Sequence, residues 1–228
     1  MVPHKRPVKS KHGHPIFYLI IGCGHFGRRA VEKILQKDSL SRITVVDKDK
    51  KALQRVSSLP VHTVACDGTL YLTQFLSEGH KADYIIPALP IHLAFEFILS
   101  QLKPFGWKRG KVPDLPVLPN SMKGKTGDLY ISLSDFLCPE NCPEPARYCT
   151  LTKKRRPKPL FQILKDLKGP FHSKVICSHQ LAPGVGGFKT KDLLDILKEA
   201  KKEGKPGQRI LISTASRCHG VTSMLSFS

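Results

Sequence analysis

The sequence lacks any apolar run near the roughly 18 residues that a membrane-spanning helix needs, so no helical span is expected. Acidic residues are scarce, with 18 Asp and Glu against 37 Lys and Arg. Aromatic residues reach only 7% and include a single Trp. What remains is nonetheless the chemistry of a folded chain. A 40% apolar content over 228 varied residues excludes a disordered or repetitive polymer and allows one large domain or two small ones.

The resulting net charge of +19 is unevenly spread. Residues 15–102 are nearly neutral, whereas residues 103–228 carry 23 basic and 10 acidic residues. Three segments are therefore expected: a basic tail at 1–14, a first domain at 15–103 and a basic second domain at 104–228. The basic tail (Lys5, Arg6, Lys9, Lys11) followed by Ile16–Ile21 imitates a secretion signal, and Ile20-Ile-Gly-Cys23 imitates a lipoprotein box. The run is too short for that role, and its residues belong to a better motif. A reducing cytoplasm is the expected compartment, where seven cysteines point to metal or redox chemistry rather than disulfides.

Ile16–Ile21 has the length and continuous apolarity of a strand buried on both faces. Gly22-Cys-Gly24-His25-Phe26-Gly27 follows at once, and Ala30, Val31, Ile34 and Leu35 then recur at helical spacing. A second strand, Ile43–Val46, ends in Asp47, which stands 20 residues after Gly27. This is the strand, GxGxxG, helix, strand, acid order of a dinucleotide site. Gly22 permits the tight turn, Gly24 the approach of a pyrophosphate, and Gly27 the close packing of helix on strand. Asp47 would accept hydrogen bonds from the ribose hydroxyls. A methyltransferase reading of Gly22-Cys-Gly24 is disfavoured, since no acid precedes Gly22. Asp47 favours NAD over NADP, and Lys48, Lys50 and Lys51 nearby soften that preference.

The alternation continues with a strand at Val61–Val64, the turn Ala-Cys66-Asp67-Gly68, a helix at Leu70–Leu76 and a strand at Asp83–Ala88. Together, Ile20–Gly27, Val45-Val-Asp-Lys48-Asp49, Cys66-Asp67-Gly68 and Ala82–Ile86 resemble the N-terminal nucleotide-binding domain of the KTN/TrkA family of potassium-transport regulators. The resemblance covers residues 15–100. It implies that the glycine loop, His25 and Phe26 included, binds the diphosphate. It further implies that Asp47 and Lys48 face the ribose, and that Asp67 and Gly68 lie near the adenine. A membrane transporter subunit as partner and a homodimer as assembly follow from the same resemblance. Leu89-Pro90-Ile-His92 departs from that pattern and resembles the strand end of saccharopine-dehydrogenase-like reductases, which adds Pro90 to the candidate cofactor contacts.

The second half is unrecognised but chemically distinctive. Cys138-Pro-Glu-Asn-Cys142-Pro-Glu-Pro-Ala-Arg-Tyr-Cys149 packs three cysteines into twelve residues. Four thiolates suit an Fe–S cluster or a zinc ion, and Cys218 is the expected fourth ligand. His179 or His219 could replace one thiolate, whereas Cys23, Cys66 and Cys177 read as packing residues. The topological argument is that further strands at 128–133, 174–177 and 209–214, if parallel to the first four, bring these loops to one carboxyl edge. The glycine-rich stretch Ser178–Gly187 reads equally as an anion-binding backbone nest or as a plain loop. The run Lys153–Lys158 holds five cations in six residues. Without a recognised fold or stacking aromatic pair beside it, nucleic acid is not the expected partner.

The expected fold is therefore α/β: a Rossmann-like parallel sheet in the N-terminal half, extended by further β/α units that carry a cysteine-rich metal loop. The expected function is NAD(H)-dependent regulation or redox sensing through a metal or Fe–S centre, not catalytic turnover. An NAD(P)-dependent oxidoreductase using His92, His179 or His219 and a basic nucleic-acid-binding protein are the alternatives.

Overall fold

The computed structural model describes residues 14–115, 118–156 and 158–228. Apart from His14, the expected basic tail lies outside them. The chain divides into two compact units.

The first unit comprises the described residues up to Leu89 together with Val185–Thr190. Strand β1 (Phe17–Ile21) is buried at every position, as a central strand must be. It pairs in parallel with β2 (Arg42–Asp47) on one side, and β3 (His62–Ala65) extends the sheet beyond β2. Strand β4 (Tyr84–Pro87) lies parallel on the other side. Helix α1 (His25–Lys37) buries Gly27, Ala30, Val31 and Ile34, and Leu35, the last of the expected stripe, is half-buried. Helix α2 (Lys50–Gln54) is short, and α3 (Gly68–Ser77) is capped by Asp67, whose carboxylate accepts from the N–H groups of Thr69 and Leu70.

The second unit runs over Pro90–Gly184 and Lys191–Ser228. In chain order its elements are α4 (Leu93–Leu102), β5 (Trp107–Gly110), β6 (Ser121–Lys123), β7 (Leu129–Ser132), α5 (Leu160–Lys165), β8 (His172–Cys177) and β9 (His179–Ala182). Strand β10 (Val185–Lys189) belongs to the first unit, and its Phe188 and Lys189 pair antiparallel with β4. Helix α6 (Thr190–Lys202), β11 (Arg209–Ala215) and β12 (His219–Phe227) complete the chain.

The second unit corrects the expectation that its strands simply continue a parallel α/β sheet. Its sheet has the order β6-β7-β12-β11-β8, and only β8 and β11 run parallel. Three residues separate β11 from β12, too few for a crossover, so these strands pair antiparallel. The far edge of β12 is shared, with β7 along His219–Thr222 and β5 along Met224–Phe227. Helix α5 contributes Leu160 and Leu164 to a core with Ile131, Phe171, Leu211 and Met224. The stretch Ser178–Gly187 forms β9 and β10 around a turn with Gly184 at φ +73°. Regular strands therefore replace most of the nest considered for it.

Candidate functional site

In a parallel sheet every strand ends at the same edge, and β1, β2 and β3 there deliver the glycine loop, Asp47 and Asp67. Gly22 adopts φ +104°, and a Cβ on it would lie 2.6 Å from the Ala88 carbonyl oxygen. A Cβ on Gly27 would collide with the Gly22 carbonyl, and one on Gly68 with the Ile21 side chain. These glycines let turn, helix and strand approach one another. Gly24 differs, with φ −67° and nothing within 4 Å of a Cβ position. Its lack of a side chain is unneeded by the protein interior and leaves a cradle that a substituent would fill.

Gly24 is also the N-cap of α1, and no side chain caps it. The positive end of a 13-residue helix thus emerges beside exposed Gly24, His25 and Phe26. Phe26 is 68% exposed, and Leu70 in the first turn of α3 is 52% exposed. Each places apolar surface at this edge. The loop is held from below by Asp47, which accepts from the Cys23 N–H at 2.6 Å and from the Asp49 N–H at 2.8 Å. Each carboxylate oxygen retains a further lone pair for an outside donor. Cys23 is fully buried, its thiol directed to the Ala52 carbonyl at 3.3 Å, the packing role expected of it. Lys48 is exposed beside Asp47, and exposed Pro90 opens the second unit.

The cysteines divide differently from expectation. The loop from Leu133 onward docks on the β11–β12 turn: Leu133 N–H donates to the Cys218 carbonyl, and Arg217 N–H to the Glu144 carboxylate at 2.8 Å. Cys138 and Cys142 approach closely enough to act electrostatically on Cys218, whose thiol burial raises to about pKa 11. The Arg156 guanidinium, however, donates to the Cys218 sulfur and also to Ser134 Oγ at 3.1 Å. Cys138 contacts the same hydroxyl at 3.6 Å. Cys149 sits in the following turn, where a hydrogen bond from the Thr152 side chain lowers its thiol to about pKa 7. Among the described residues no three His, Cys, Asp or Glu gather closely enough to hold a metal ion. With the Arg156 guanidinium against the Cys218 sulfur, the cysteines as arranged do not fit the expected four-thiolate centre.

His92 is likewise not a proton donor for a substrate. It is 2% exposed, with Nδ1 2.7 Å from Ser223 Oγ and Nε2 2.9 Å from Thr214 Oγ1. The Ser223 hydroxyl donates its one proton to Asp128, so Nδ1–H must donate to Ser223 and Nε2 must accept from Thr214. Burial drives the His92 pKa down to about 3, consistent with this neutral tautomer. Arg109 completes the chain by pairing with both Asp128 and Glu96 over the face of Phe95. Sequence spacing alone gave no sign of this relay, whose members lie up to 131 residues apart. His179 stands 3.9 Å from Asp192, and His219 is exposed at the start of β12.

The parallel 3-2-1-4 strand order with a glycine turn and an acid at the end of β2 defines a Rossmann-type nucleotide-binding domain. Residues 18–99 match the TrkA-N domain. Residues 94–228 match AF_1314_C, described as "Uncharacterized protein, C-terminal domain". That match covers more than half of the chain, and the chain belongs to the AF_1314_C family. A relative from Archaeoglobus fulgidus, described as an uncharacterized protein, is 27% identical over 220 residues, spanning 91% of this chain and 98% of the relative.

Proposed function

We propose that this protein binds NAD(H) at the carboxyl edge of its first sheet and works as a nucleotide-dependent regulator, not as a catalyst with high turnover. The observation carrying this reading is the Gly24 cradle. Its open space lies at the uncapped amino end of α1, with Asp47 fixing the loop from beneath. The diphosphate would lie over Gly24 and the N-terminus of α1, where His25 and Phe26 border it. Asp47 would receive the adenosine ribose hydroxyls with its remaining lone pairs, a role that also disfavours the 2′-phosphate of NADP. Asp67 would act by holding the first turn of α3, which presents Gly68 and Leu70 toward the adenine end.

NAD(H) binding by TrkA-N domains supports the ligand assignment, and the same family name supports an ion-transport partner. Regulation of a membrane transporter by a homodimer of this chain is the form of the proposal that follows. The buried His92 cannot meet a substrate, which removes one of the three histidines that an oxidoreductase reading would use.

Calorimetric titration of the full chain with NADH, NAD and NADPH tests the reading. Saturable binding of NADH or NAD, weaker binding of NADPH and no NADH oxidation on incubation are expected. Absence of dinucleotide binding would overturn the assignment, and steady NADH consumption with an added acceptor would replace regulator by oxidoreductase.

A further inference from the structure

The basic run in the second unit becomes a defined shape in the structure. Residues 147–156 fold back on themselves as a small hairpin. The Arg156 N–H donates to the Arg147 carbonyl at 2.8 Å, the Cys149 N–H to the Lys154 carbonyl at 2.9 Å, and Tyr148 bridges Arg155. The turn closes with the Lys153 N–H donating to the Cys149 carbonyl at 2.9 Å, with Lys153 at φ +57°.

Side chains alternate across such a ribbon. Cys149 is buried, and Arg156 reaches inward to Cys218 and Ser134, so their face is anchored on the body of the unit. Tyr148 and Arg155 point the other way, directly opposite each other. Leu151, at the tip, is 56% exposed and Tyr148 is 52% exposed. Lys153, at the turn, and Arg155 are exposed beside them, and Lys154, across from Cys149, is exposed as well. A leucine at the apex, an aromatic on the ribbon and cations around both make a surface with one wet and one greasy requirement.

We propose that this hairpin docks the protein on an anionic lipid surface. Cations near an anionic leaflet gain attraction from headgroup phosphates, Tyr suits the headgroup layer, and an exposed Leu gains by entering the acyl boundary. The charges are complementary to such a surface, since the unit is strongly basic. Nucleic acid shares the phosphate chemistry but gives a tip leucine no acyl layer to enter. No helix among the described residues is long and apolar enough to cross a membrane, so the contact proposed is peripheral. It is independent of the nucleotide site.

The test is co-sedimentation of the full chain with vesicles of phosphatidylcholine alone, and of phosphatidylcholine mixed with phosphatidylglycerol, at low and high salt. Retention on the anionic vesicles only, weakening with salt, is expected. The K153Q/K154Q/R155Q variant should lose on the order of a hundredfold in partition, roughly fivefold for each cation. Leu151→Ser, at unchanged charge, should lose severalfold. Equal retention on both vesicle types, or none, overturns the proposal. Tighter retention on duplex or single-stranded nucleic acid, with vesicle binding indifferent to Leu151→Ser, overturns it in favour of a nucleic-acid partner.

Discussion

The carboxylate of Asp47 accepts a 2.6 Å hydrogen bond from the backbone N–H of Cys23, joining the end of β2 to the turn after β1. The same side chain therefore shapes the glycine loop and, at the proposed NAD(H) site, would offer lone pairs to a ribose. Replacing Asp47 with Ala removes both contributions. A charge-assisted hydrogen bond is worth about 1.5–3 kcal/mol, which predicts NADH affinity roughly 10- to 100-fold weaker. Asp47→Asn keeps one acceptor oxygen and should fall between the two in a calorimetric titration.

Two alanine substitutions a single turn apart should behave in opposite ways. Gly27→Ala drives a methyl group into the Gly22 carbonyl and should lower the melting temperature by several degrees or prevent folding. Gly24→Ala meets no atom within 4 Å and should leave the melting temperature nearly unchanged. It should nevertheless weaken NADH at least tenfold, because the methyl would occupy the space proposed for the diphosphate. Thermal melts with and without NADH separate the two effects. Unaltered NADH affinity in Gly24→Ala would move the ligand elsewhere.

His92 gives the fold a specific weakness to acid. Its folded pKa of about 3 lies below the ordinary 6.5, so the unfolded chain binds the extra proton first as pH falls. Stability is thus complete above about pH 6.5 and is lost progressively between 6.5 and 3, by on the order of 5 kcal/mol for this group. Asp128 adds a second, more acidic limb. Burial alone would raise its pKa, but bonds from Ser223, Thr126 and Arg109 outweigh burial and hold it below the ordinary carboxylate value. Its contribution is present above about pH 4 and disappears below. Urea melts across pH should show His92→Gln less stable at pH 7 and flatter between pH 4 and 6.5.

Arg109 neutralises the buried Asp128, which is only 1% exposed, and also pairs with Glu96. Arg109→Ala strands that carboxylate and should cost roughly 3–5 kcal/mol in urea unfolding. Adding Asp128→Asn to Arg109→Ala should recover part of the loss. A double-mutant cycle showing simple additivity would remove the coupling.

The parallel strands and glycine turn of the first unit were legible because their information is local, whereas its late strand β10 was not. Strand, turn, helix and acid follow one another within 32 residues from Ile16 to Asp47, and each step has a backbone reason. The second unit was less legible because its pairings are distant and its polar groups trade partners. His219–Phe227 has no sharp alternation, yet becomes the best-connected strand of its sheet by lying between β11 and two others. His92 reads as chemistry in a sequence and is a buried relay in the fold. The cysteine loop carries a metal-like spacing, but an arginine from residue 156 and a hydroxyl from residue 134 supply partners that spacing cannot reveal.

Strand β10 brings a late piece of the chain to the side of β4, after ninety-five residues of the other unit have intervened. A gene fragment stopping near residue 103 would contain every motif of the nucleotide site and still leave β4 with a bare row of N–H and C=O groups. Such a fragment invites edge-to-edge association. The nucleotide module is thus finished only when synthesis has passed residue 190, and the two units cannot be shuffled in evolution or in the laboratory as beads on a string.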